Sequence, residues 1–107
     1  MGLRYLTVTT SGNTAANMAD ASGKEAGAVG VITDVELSGG TDTSADITIA
    51  DPVGTVFSVT SVDLTTTLRY KVDDAAIKRN AVAGKLTVTP ANTTGAAVVR
   101  VWVSENR

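Results

Sequence analysis

The chain has 107 residues, the size of one domain, and its 15 Val and 17 Thr against one Phe, one Trp and two Tyr favour β-strands around a core of small side chains. It contains neither Cys nor His, which excludes disulfides, thiolate nucleophiles, the usual zinc sites and the usual proton shuttle at neutral pH. A net charge of −2 and the absence of an apolar run of about 18 residues predict no nucleic-acid partner and no membrane partner.

Strand signals begin at residues 3–10, which are rich in β-forming side chains. Residues 28–38 then alternate between apolar and polar side chains, which is typical of a strand with one buried face. The side chains predicted to face inward are Val29, Val31, Thr33, Val35 and Leu37. Asp34, Glu36 and Ser38 are predicted to lie on the opposite face.

Two further strands are predicted on either side of a tight turn, at residues 45–51 and 55–62. The segment "DPVG" between them has Pro at its second position, which type I and type II turns favour. The side chains predicted to point inward are Ile47, Ile49, Phe57 and Val59.

The last third of the chain predicts three more strands. In residues 68–72, Leu68, Tyr70 and Val72 would share one face, opposite Arg69 and Lys71. Residues 84–105, "GKLTVTPANTTGAAVVRVWVSE", are interpreted as a hairpin around the connection "PANTTG". Its inward residues would be Leu86, Val88, Val99, Val101 and Val103.

Two segments do not fit a strand pattern. Residues 11–30 are small, polar and rich in Ala and Gly, so they are expected to form a flexible arm or a long ordered loop. Residues 73–84 are expected to form a connection with a helical turn, for which Asp73 or Asp74 would be the N-cap. Together the signals predict a single all-β domain over residues 1–107, an antiparallel sandwich or small barrel of about seven strands.

Charge is distributed unevenly along the chain. Residues 1–66 carry eight acids and two bases, whereas residues 67–107 carry seven bases and three acids, so the two balances are −6 and +4. Either the two parts pair with each other inside one domain, or copies of the chain meet head to tail.

Carboxylates are the reactive side chains that this composition leaves. Asp42, Asp46 and Asp51 lie close in sequence, but they lack the turn Gly and the closing Glu of a calcium loop. A carboxylate pair for sugar hydrolysis needs a cleft, and few aromatic residues are present to line one. Turn formation and outward orientation explain these aspartates, so we predict no catalytic residue, no metal, no cofactor and no enzyme activity.

The most informative polar side chains are candidates for an interface. If Val99, Val101 and Val103 face the core, Arg100 and Trp102 must face the other way. An outward Trp beside an Arg is the combination that dominates interface hot spots. Either a partner contacts Trp102, or another part of this chain covers it. Arg69 and Lys71 point outward from another strand and are predicted to belong to the same surface.

The strand pattern resembles a group of small β-rich proteins encoded among the head genes of tailed bacteriophages. The similarity is carried by "ADITIADPVGTVFSVTSV", by "TLRYKV" and by "GKLTVTPANTTGAAVVRVWVSE". The matching positions are residues 46–49, 68–70, 84–88 and 99–103, and the resemblance covers roughly residues 29–105.

This resemblance implies a non-enzymatic virion protein, most directly a capsid decoration or cement protein that binds the major capsid protein or other virion proteins. It would lie on the capsid surface after assembly in the host cytoplasm, as a homo-oligomer with a trimer as the first expectation. Two alternatives stay open. One is a neck, tail or head-fibre base component of the virion, and the other is a small carbohydrate-binding module.

Overall fold

Nine β-strands form from residues 2–105, the part of the chain that the computed structural model describes. They are β1 (Gly2–Ser11), β2 (Ala16–Asn17), β3 (Gly27–Ser38), β4 (Ala45–Ala50), β5 (Thr55–Val62), β6 (Leu68–Lys71), β7 (Ala81–Lys85), β8 (Thr87–Ala91) and β9 (Ala96–Glu105). The short strands β2 and β7 were not predicted as separate strands. Within residues 2–105 there is no helix that is long and apolar enough to cross a membrane.

The strands form two antiparallel sheets that pack on each other, which confirms the predicted sandwich. Sheet A has the order β1-β9-β3-β6, and β7 pairs with the first half of β3 while β6 pairs with the second half. Sheet B has the order β2-β8-β4-β5. The long strands β3 and β9 therefore lie at the centre of sheet A, where both of their edges are hydrogen-bonded.

The core between the sheets consists mainly of aliphatic side chains, as the composition predicts. Its largest fully buried side chains are Phe57, Leu6, Met18, Ile32, Leu37, Ile47, Ile49, Leu64 and Leu86. The valine face of β9 is confirmed, because Val99, Val101 and Val103 are completely buried. Phe57 packs edge-on against Tyr70 of β6, with ring centroids 5.1 Å apart. Burial of apolar surface in this layer is the main favourable contribution to folding.

The predicted inward face of β3 is wrong for its first half. Val35 and Leu37 are buried, but Val29 and Val31 are 64% and 40% exposed. The cause is a β-bulge: Ile32 pairs with Val103 and Asp34 pairs with Trp102, so Thr33 is an extra residue in β3. One extra residue reverses the alternation of the strand, and the first half buries Ala28 and Ile32 instead.

The predicted hairpin over residues 84–105 is also wrong. β8 pairs with β4 and β2 in sheet B, whereas β9 pairs with β1 and β3 in sheet A. The segment "GKLTV" is not one strand, since β7 ends at Lys85 in sheet A and β8 begins at Thr87 in sheet B. Leu86 between them is fully buried, and Gly84 has a φ of 111°, a conformation that glycine adopts most easily.

The two segments without a strand pattern both pack against the sandwich. In the first, Met18 is fully buried and Ala19 exchanges two backbone hydrogen bonds with Thr7 of β1, so residues 11–30 contain an ordered loop and the start of β3. The expected helical turn in the second is absent from residues 73–84, which contain hydrogen-bonded turns and β7. Asp74 nevertheless caps one of these turns, because its carboxylate accepts the N–H of Ala76 at 2.9 Å.

Candidate interaction surface

The outer face of sheet A carries all four residues that the sequence singled out: Trp102, Arg100, Arg69 and Lys71. Here the outer face means the side of β1, β9, β3, β6 and β7 that points away from the core. β9 supplies two of them and β6 the other two, and β3 separates the two strands. Strand alternation makes this placement predictable on each strand, but only the sheet order brings the two pairs together.

Trp102 lies between two other side chains of the same chain. Its ring centroid is 5.2 Å from that of Tyr5, the residue opposite it on β1. The Arg69 side chain reaches over β3, and its guanidinium carbon lies 4.4 Å from the indole ring centroid. Trp102 is therefore half-buried, and a cation–π contact fixes one face of its ring.

Charged side chains on the outer face form a connected network of ion pairs. Glu36 of β3 stands opposite Arg69 on β6 and Arg100 on β9, and Asp34 stands opposite Lys71 on β6. Arg100 binds Glu36 at 2.9 Å, and Arg69 contacts both Glu36 and Asp34 at 3.3 Å. Lys71 lies 3.3 Å from Asp34. Both carboxylates on this part of the face are thus paired within the chain, and the three bases leave one net positive charge.

Arg100 is held in its charged form. Partial burial opposes the charge, but the neighbouring side chains of Tyr5 and Glu36 outweigh burial and raise the pKa of Arg100. Its guanidinium also donates a hydrogen bond to the Ser38 hydroxyl at 3.1 Å. Arg100 is therefore a fixed part of the face, and it links β1, β9 and β3.

One end of the outer face is apolar and exposed. Leu3 of β1 is 65% exposed and faces Ser104 of β9, which in turn faces Val31 of β3. Val31 faces Ala81 on β7, and Val29 is the next outward residue along β3. Sequence reasoning placed Val29 and Val31 in the core, because an apolar alternation carries no signal for the bulge that turns them outward.

The three clustered aspartates are used in the fold. Asp42 accepts hydrogen bonds from the backbone of Thr94 and Gly95, and Asp46 accepts the N–H of Ser61 at 2.9 Å. Asp51 pairs with Arg79. Among residues 2–105, no group of three or more acidic side chains is arranged to hold a metal ion, and no pocket is formed.

Comparison of the chain with protein-family models, with curated proteins and with solved structures found no match.

Proposed function

We propose that this chain is a non-enzymatic virion structural protein that decorates the capsid of a tailed bacteriophage and binds the major capsid protein through the outer face of sheet A. The observation that carries the proposal is the combination of exposed Leu3, Val29 and Val31 with the cluster of Trp102 and Arg69 on one face. Contiguous exposed apolar side chains beside Trp and Arg are typical of protein–protein interfaces.

The pairing of both carboxylates on the outer face also favours a protein–protein interface there. A partner that covers the face desolvates Asp34 and Glu36, and desolvation of an unpaired carboxylate would cost several kcal/mol. Both carboxylates already contact bases on neighbouring strands, so they can be covered without a charged group from the partner. Apolar and aromatic contacts would then supply the affinity, and repeated copies on a symmetric particle would strengthen each weak contact.

A substitution of Trp102 tests the role of the face. We expect Trp102→Ala to weaken binding to particles that lack the protein by about 30-fold, the loss typical of an interface hot spot. Co-sedimentation with such particles measures binding, and size exclusion with light scattering measures oligomeric state. Val53→Ala is the matched control, because Val53 is 80% exposed in the turn between β4 and β5, away from the outer face. Unchanged particle binding together with a large fall in melting temperature would show that Trp102 serves only the stability of the fold.

The number of copies per particle tests the decoration role itself. Quantitative mass spectrometry of purified virions and electron cryo-microscopy should find the protein in many copies that follow the capsid symmetry. A single ring of copies at one vertex would instead identify a neck, tail or head-fibre base component, and absence from the particle would contradict the proposal.

A further inference from the structure

The first part of β1 has an open backbone edge. Thr7 exchanges hydrogen bonds with Ala19, at 2.8 and 2.9 Å, on the side away from β9. The register of β1 with β9 is regular over the whole strand, so the backbone orientation alternates from one residue to the next. Leu3 and Tyr5, which are four and two residues before Thr7, therefore also point their N–H and C=O groups away from β9. Among the described residues, no backbone or side-chain group pairs with Leu3 or Tyr5 on that side.

Other edges of the two sheets are occupied or short. In β7, the outward N–H of Ala83 donates to the carboxylate of Asp51 at 3.2 Å. In β5, Ser58 donates to Ala76, and Val56 accepts from Lys78. β6 has four residues, of which Arg69 and Lys71 are charged, and short charged strands resist pairing with another chain. Residues 2–5 of β1 have no bulge and no Pro, and so they keep an edge that another strand can join.

Arg4 lies between the two open positions and differs from the other arginines of residues 2–105. Arg69, Arg79 and Arg100 each contact a carboxylate, whereas no carboxylate within the described part of the chain lies within 4.0 Å of the Arg4 guanidinium. Its Nε donates to the carbonyl oxygen of Gly27 at 3.0 Å, and the side chain is half-buried. The pKa of Asp20 is lowered mainly by the side-chain hydrogen bond from Ser22, and the charge of Arg4 contributes least. The Asp20 carboxylate accepts hydrogen bonds from Ser22 and from the backbone of Lys24.

We propose that β1 binds an extended segment of a partner protein by strand addition at Leu3 and Tyr5, and that this segment places an acidic side chain opposite Arg4 between two apolar side chains. The backbone groups of Leu3 and Tyr5 supply the main-chain hydrogen bonds. The side chains of Leu3 and Tyr5 lie on the outer face, so the apolar residues of the added strand would extend the apolar surface of that face. Arg4 points to the opposite face of the sheet, where it would favour an acidic residue directly across from it on the added strand.

A second copy of this chain fits the edge less well. Thr7 already bonds to Ala19, so the antiparallel register in which two copies use both of their open positions sets Leu3 of one copy opposite Tyr5 of the other. That register sets Arg4 directly opposite Arg4 of the second copy, and like charges in opposite positions destabilise a strand pair. The occupant is therefore a segment with an acid at the central position.

Peptide binding to the full chain tests this inference, and no virus particle enters the experiment, so its result does not depend on the proposed function. The probe is a synthetic peptide with blocked ends and the sequence Thr-Val-Glu-Val-Thr, added to isotope-labelled protein in an NMR titration. We expect the amide signals of Leu3 and Tyr5 to shift and their exchange with solvent to slow. The same peptide with Lys in place of Glu should bind roughly 5-fold more weakly, because it meets Arg4 with a like charge.

Two variants separate the backbone contact from the side-chain contact. Leu3→Pro removes an N–H that points away from β9 and leaves the ladder intact, so it should weaken binding of the Glu peptide by at least about 5-fold. Leu3→Ala keeps the N–H and should weaken binding less. Absence of shifts at Leu3 and Tyr5, or equal binding of the two peptides, would overturn the proposal, even if Leu3→Pro does not fold. Shifts that grow with protein concentration alone would overturn it in favour of a second copy.

Discussion

Asp51 connects three parts of the chain through one carboxylate. It accepts the N–H groups of Val53 and Gly54 in its own turn, two hydrogen bonds from the Arg79 guanidinium at 2.5 and 3.1 Å, and the N–H of Ala83. Its side chain is fully buried, and these partners hold its pKa far below the ordinary value of 3.8. The turn role follows from the sequence "DPVG", but the pairing with Arg79 does not.

Asp51→Asn should destabilise the fold by about 3 kcal/mol, because it leaves Arg79 without its counter-charge and replaces an acceptor oxygen by a donor. Urea unfolding at neutral pH measures the free energy of unfolding. Asp73→Asn is the matched control, since Asp73 is exposed, and its effect should stay within about 0.5 kcal/mol. Equal stability of the two variants would show that the Asp51 carboxylate contributes nothing beyond its turn.

At the scale of elements, β3 organises sheet A. It pairs with β9 along most of its length and with β7 and β6 in turn on its other edge. The bulge at Thr33 lets one strand bury Ile32 before the bulge and Val35 after it. It also sets Glu36 opposite Arg69 and Arg100, and it turns Val29 and Val31 toward solvent.

Gly30 marks a close approach of β3 and β9 that no other residue fits without movement. A Cβ at this position would collide with the carbonyl oxygen of Ser104, so Gly30→Ala should destabilise the fold by about 2 kcal/mol or more. Thermal or urea unfolding measures this loss. Gly2→Ala is the matched control, because a Cβ there meets nothing within 4 Å. A stability for Gly30→Ala that matches the control would mean that the two strands separate without cost.

At the scale of the whole molecule, the uneven charge distribution is resolved inside the domain. Each ion pair in residues 2–105 joins an acid from residues 1–66 to a base from residues 67–107. The antiparallel sheets cause this pattern, because β3 lies between β6 and β9 and because Asp51 meets Arg79. Charge pairing across the sequence therefore accompanies the long-range strand pairing that defines the fold.

The stability of the whole fold depends on pH because the pKa of the Asp51 carboxyl is lowered in the folded chain. Below the ordinary value of 3.8, the unfolded chain binds a proton at Asp51 while the folded chain does not, so acid favours unfolding. The stabilisation is complete above about pH 5 and is lost progressively as the pH falls below it. Urea unfolding between about pH 5 and pH 2 should show a steeper loss for the native chain than for Asp51→Asn. Four other acids, Asp20, Glu25, Asp42 and Asp63, also have lowered pKa values, but both proteins retain them. Parallel losses would contradict the role of Asp51.

The sequence by itself determined the all-β class, as a sandwich or a small barrel, the buried valines of β9 and the outward orientation of Trp102, Arg100, Arg69 and Lys71. Strand alternation is a local property of the backbone, so neighbouring residues are enough to reveal it. The reversal of β3 at Thr33, the change of sheet at Leu86 and the open edge beside Arg4 were decided only by the tertiary structure. Each of them depends on which distant strand supplies the hydrogen-bond partners, and the alternation of side chains within one strand does not reveal which strand that is.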